Sequence, residues 1–77
     1  MMITVYSRPN CVQCDATKRW LNKNDRPYTE KPLDQHPEIL EEAKAAGYTA
    51  APVVILEHDG HRIVWGGFQI NKLKEAR

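Results

Sequence analysis

Met2-Ile3-Thr4-Val5-Tyr6-Ser7-Arg8-Pro9-Asn10-Cys11-Val12-Gln13-Cys14 passes from strand to turn to helix. Residues Met2 to Tyr6 are apolar and β-branched, Ser7 to Asn10 have turn chemistry, and a helix-forming run begins directly after Cys11. The first cysteine therefore sits at a helix start. There the unpaired backbone N–H groups and the positive end of the helix dipole favour an anion, which here is the Cys11 thiolate. Asn10 is the expected N-cap, and Gln13, three residues on, would complete a capping box. Cys14 lies one turn further along the same face, within reach of the first sulfur but deeper against the domain. The pair reads as a reversible dithiol, with Cys11 the nucleophile and Cys14 the resolving cysteine.

Other readings compete on residue grounds. A structural disulfide over so short a loop would remove little unfolded-state entropy, roughly 2 kcal/mol. Small secreted domains use longer loops and more cysteines. A zinc site could combine Cys11 and Cys14 with His58 and His61, because Cys-x-x-Cys with His-x-x-His is a ligand-like set. Two unrelated buried cysteines are also possible, although the strand, turn and helix around them speak against it.

Composition bounds the function. A chain of 77 residues is expected to be one domain over residues 1–77, and 42% apolar with 27% charged residues is ordinary for a soluble globule. A net charge of +1 with mixed signs argues against a nucleic-acid or membrane surface, so partners should be proteins or small molecules. The N-terminal apolar run is too short for a signal peptide, and no stretch approaches a membrane span. A reducing cytoplasm is the expected compartment, where a close cysteine pair is redox-active or metal-bound more often than structural.

Along the chain, the first helix should run from about Cys11 to Asn24, burying Cys14, Thr17 and Leu21 and leaving Val12 and Gln13 exposed as recognition residues. Tyr28 to Lys31 reads as a second strand, and the crossover makes it parallel to the first. His36-Pro37-Glu38 opens a packing helix with the stripe Ile39, Leu40, Ala43 and Ala46, stopped at Gly47. Val53 to Leu56 should be a central strand covered on both faces, and Asp59-Gly60 a hairpin turn returning Arg62 to Trp65 as an edge strand. Gly66-Gly67 breaks that strand, and Phe68, Ile70 and Leu73 form the stripe of a short last helix.

Three motifs now stand in order: Cys11-Val12-Gln13-Cys14-Asp15-Ala16-Thr17-Lys18-Arg19, Ala51-Pro52-Val53-Val54, and Trp65-Gly66-Gly67-Phe68. With them the chain closely resembles, over nearly its whole length, the NrdH-type redoxins, glutaredoxin-like members of the thioredoxin fold. The resemblance implies an α/β fold with a four-stranded mixed sheet of order 2-1-3-4 and three helices. It would put the His58 and His61 hairpin at the far end of the third strand, about 15 Å from the sulfurs at 3.3 Å per residue, which removes most of the case for zinc. It also implies a cis peptide at Pro52, leaving the Ala51 backbone free to pair with an extended substrate segment.

The resemblance further implies a thiol-disulfide oxidoreductase that carries electrons from NADPH through thioredoxin reductase to ribonucleotide reductase, with no bound cofactor beyond the Cys11–Cys14 disulfide, no metal, and a monomeric state. Arg8, Val12, Gln13, Ala51, Pro52, Trp65, Gly66, Gly67 and Phe68 would contact the partner. Two departures bear on this. The family reads Trp-Ser-Gly-Phe-Arg-Pro where this chain has Trp65-Gly66-Gly67-Phe68-Gln69-Ile70, losing a Ser, a cation and a helix-starting Pro. Gly66-Gly67 and Arg8 instead resemble glutathione-dependent glutaredoxins, the alternative reading. Those enzymes follow the glycines with an acidic pair for the glutathione amine, which Gln69-Ile70-Asn71 does not supply. A zinc or iron-sulfur module is the alternative outside redox exchange.

Overall fold

Side chains alternate across β1 (Met2–Ser7): Ile3 and Val5 turn to one face of the sheet and Tyr6 to the other. The same alternation divides β3 (Val53–His58), where Val54 and Leu56 join Ile3 and Val5 while Val53 and Ile55 join Tyr6. Both strands are thus apolar on both sides, as a central strand must be when helices cover each face. The computed structural model that shows this describes residues 1–75.

The remaining elements supply the two covers and the edges. They are α1 (Val12–Lys23), β2 (Thr29–Pro32), a 3₁₀ turn at Leu33–Gln35, α2 (Pro37–Ala45), β4 (His61–Gly66) and α3 (Ile70–Lys74). Leu21 of α1, Trp65 of β4 and Leu73 of α3 fill the first face; Leu33, Ile39 and Ala43 fill the second. The sheet order is β2-β1-β3-β4, as the resemblance implied. β1 and β2 are parallel, while β3 runs antiparallel to both β1 and β4. The C-terminal end of β1 and the start of β3 therefore meet at one end of the sheet, where Tyr6 pairs with Val53. That end carries the cysteines.

Local chemistry sets the element ends. At the end of α1 the Asn24 side chain donates to the Trp20 carbonyl at 2.8 Å, and Asp25 takes a left-handed φ of 54° that lets the Arg26 N–H reach the Leu21 carbonyl at 2.8 Å. Asp59 and Gly60, both at positive φ, make the two-residue turn that the Asp-Gly pair predicts.

Some expectations do not hold. The second strand is shifted from Tyr28–Lys31 to Thr29–Pro32. Ala46 lies beyond the last turn of α2 and is exposed. The expected stripe of the last helix reduces to Leu73: Phe68 precedes α3 and Ile70 opens it, at 36% and 42% exposure. Five residues make little more than one turn, so a single side chain reaches the core.

Candidate active site

The sulfur of Cys11 is itself the helix cap. Cys11 is the N-cap of α1, with extended backbone, and its Sγ accepts the Cys14 N–H at 3.1 Å. This corrects the assignment of Asn10 as N-cap and of Gln13 as its capping-box partner. Asn10 is held at φ 56°, a left-handed turn position from which the chain enters the helix one residue later. Cys11 and Cys14 form a disulfide with their Cα atoms 5.2 Å apart. Cys11 is half-buried, while Cys14 is 1% exposed and faces the core with Thr17 and Leu21, as their spacing predicts.

The loop before β3 closes one side of the pair. The Ala51–Pro52 peptide is cis, Pro52 is buried, and the Ala51 carbonyl oxygen lies 3.7 Å from Cys11 Sγ, where it can accept from the thiol of the reduced form. The segment after β4 closes the other side. Gly67, at φ +78°, donates its N–H to the Pro52 carbonyl at 2.8 Å, and the next amide, Phe68, donates to Gln13 Oε1 at 2.9 Å. Two consecutive backbone N–H groups thus tie the cis-Pro loop and the redox helix together. A larger residue at Gly66 would require the neighbouring loop to move: a Cβ would stand 2.7 Å from the Ala50 oxygen and 2.8 Å from Tyr48 Cβ.

Cys11, Cys14, Gln13, Ala51, Pro52, Gly66, Gly67 and Phe68 are accordingly brought together, and Val12 stands 83% exposed beside them. Trp65 is not part of that surface. At 1% exposure its ring packs with Ile3, Val5, Leu21 and Val54, correcting its assignment as a docking residue; a large aromatic one residue before a tight loop serves the core. Arg8 is exposed and paired with Asp34 at 3.4 Å, a partner that nothing in the sequence pattern signalled. Beyond it, Ser7 Oγ and Lys18 Nζ both donate to Glu30 Oε2, at 2.6 and 2.9 Å. The Ser7 and Lys18 hydrogen bonds hold the Glu30 carboxyl below its ordinary range, and the Glu30 hydrogen bond raises Lys18.

His58 and His61 face each other across the hairpin at the end of β3 remote from Pro52. Among the described residues no group of three His, Cys, Asp or Glu side chains is placed to hold a metal ion.

Comparisons with known proteins agree with this geometry. The glutaredoxin family model matches residues 3–62. The glutaredoxin-like protein NrdH of Escherichia coli K12 is 38% identical over an alignment of 79 positions, covering 99% of this chain and 93% of that protein. The protein of the same name from Lactococcus lactis subsp. cremoris is 42% identical over 53 residues, 69% of this chain and 74% of its own length. Among solved structures, the E. coli NrdH-redoxin, a glutaredoxin-like protein with a thioredoxin-like activity profile, superposes with a TM-score of 0.80 at 34% identity over 100% of this chain and 96% of that one. A thioredoxin-like protein, BC3987, follows at TM-score 0.69 and 28% identity, covering 97% and 99% of the two chains.

Proposed function

We propose that this chain, which belongs to the glutaredoxin family as an NrdH-type redoxin, is a cytoplasmic thiol-disulfide oxidoreductase that carries electrons between two proteins. The observation that supports it best is the unequal placement of the two sulfurs. Cys11 is reachable at the helix start with a backbone N–H on its sulfur, and Cys14 is enclosed. Reduced Cys11 attacks a sulfur of the target disulfide, forming a mixed disulfide and releasing one target thiolate. Cys14 then attacks Cys11 Sγ, closing the internal disulfide and releasing the second. The target gains two electrons and two protons, which a reductase must return.

In this reading, following what the NrdH resemblance implies, the donor is thioredoxin reductase with NADPH and the acceptor ribonucleotide reductase. Glutathione is a poor donor here for a local reason. Its ammonium needs an acid, and Gln69, Ile70 and Asn71 follow Gly67 and Phe68 with none, so a charge would be left unpaired in a closing groove. The test is NADPH oxidation coupled to insulin reduction, run in turn with the cognate thioredoxin reductase and with glutathione plus glutathione reductase. Turnover with the first and little with the second is expected. The reverse pattern would make the protein a glutathione-dependent glutaredoxin.

A further inference from the structure

Gln13 Oε1 accepts the Phe68 N–H at 2.9 Å, and this contact settles which way the side-chain amide points. Turning it over would set an N–H against an N–H, so oxygen faces the loop and Nε2 faces away. Gln13 is exposed, and among the described residues its Nε2 has no partner. The oxygen sits in space that a side chain at position 67 would take, since a Cβ on Gly67 would lie 2.9 Å from it. The first turn beneath is held by Thr17, whose buried hydroxyl donates to the Gln13 carbonyl at 2.9 Å. The Phe68 bond thus orients the side-chain amide, with two N–H donors presented to solvent two residues from Cys11.

We propose that Gln13 is a specificity-determining residue whose clamped amide donates from Nε2 to a backbone carbonyl of the protein segment carrying the target cysteine. A peptide lying along the Ala51 backbone beside Cys11 brings its carbonyls past this position, and a donor already held in place loses little entropy on use. The proposal rests on the protein-to-protein reading above. It accounts for an amide at this position, because Phe68 needs an acceptor and the partner a donor, and an amide offers both from one planar group.

Gln13→Glu and Gln13→Ala separate the two ends. Glutamate keeps an acceptor for Phe68 and loses the donors; alanine loses both. Phe68 amide exchange by NMR reads the clamp, and the concentration dependence of reduction of a disulfide-bonded peptide reads the donor. Phe68 protection should persist in Gln13→Glu and fall about tenfold in Gln13→Ala, about what one lost hydrogen bond gives. The half-saturating peptide concentration should rise about 5- to 10-fold in both variants, more than the maximal rate falls. The pH profile of Cys11 alkylation separates any effect of the new Glu charge on the thiol. Equal Phe68 protection in wild type and Gln13→Ala, or unchanged half-saturation in Gln13→Glu, would overturn the proposal. Failure of the wild-type protein to reduce the peptide at all would instead sink the reading on which it rests.

Discussion

Individual residues at the site are constrained by contacts measured in tenths of an ångström. Gly66 stands where the family motif has Ser, and its missing Cβ lets Tyr48 and Ala50 close over the strand end. Two of the contacts a Cβ would make are under 3.0 Å, one of them to backbone. Gly66→Ser should therefore destabilise the fold by about 1–3 kcal/mol, the usual cost of overpacking, and shift the 48–51 loop. Urea unfolding checks this, and a midpoint equal to wild type would mean the loop gives way freely. The cysteines make a second prediction at this scale. Cys14→Ser should accumulate a covalent adduct with its protein partner, since the mixed disulfide has no resolving thiol, while Cys11→Ser forms none. Equal trapping by the two variants, visible on a non-reducing gel, would contradict the nucleophile and resolving roles proposed for them.

Between elements, the Ser7, Lys18 and Glu30 contacts join the end of β1, the middle of α1 and β2 at the cysteine end of the sheet. Glu30 is held below its ordinary 4.5, first by Ser7 and then by Lys18, so its contribution is present above that value and is lost as pH falls through the lower folded value. Lys18 is raised above 10.5 chiefly by the Glu30 hydrogen bond, so its share is present below that pH and is lost as pH rises through the higher folded value. The stability difference between wild type and Glu30→Gln should thus be largest from pH 6 to 9 and shrink below about 4. With the Glu30 side chain 42% exposed, it should stay within about 1 kcal/mol. Urea midpoints at pH 7 and pH 3 decide it; a difference independent of pH would remove the network from the account. Sequence period alone located the buried face of α1 and the two-sided burial of β3, because these depend on spacing. It misplaced the cap of α1, since Asn10 is by residue type the better cap and only its left-handed turn passes the role to the Cys11 sulfur. Gln13 was legible as exposed, but its bond to Phe68 depends on a loop 55 residues away, which no local pattern encodes. Trp65 misled because its motif neighbours, Gly66 and Gly67, do line the site while the ring between strand and loop turns to the core.

If the proposed carrier role holds, the molecule as a whole must stay folded in both oxidation states, because a carrier that unfolded on reduction would lose its docking surface when it is needed. Its core meets that demand without the disulfide. The two apolar clusters lie on opposite faces of the sheet and neither includes a cysteine, although Cys14 is itself buried. The bridge spans a sequence separation of 3, so closing it constrains the unfolded chain by no more than about 2 kcal/mol. For a domain this size 1 kcal/mol moves the melting temperature by about 4–8 °C. Reduction should then lower the midpoint by no more than about 16 °C, and the transition should stay single and cooperative. Calorimetry with and without dithiothreitol measures both. A reduced protein that melts broadly, or loses its native circular dichroism at 25 °C, would show that the bridge holds the fold together, and exchange through Cys11 and Cys14 would then open the whole domain.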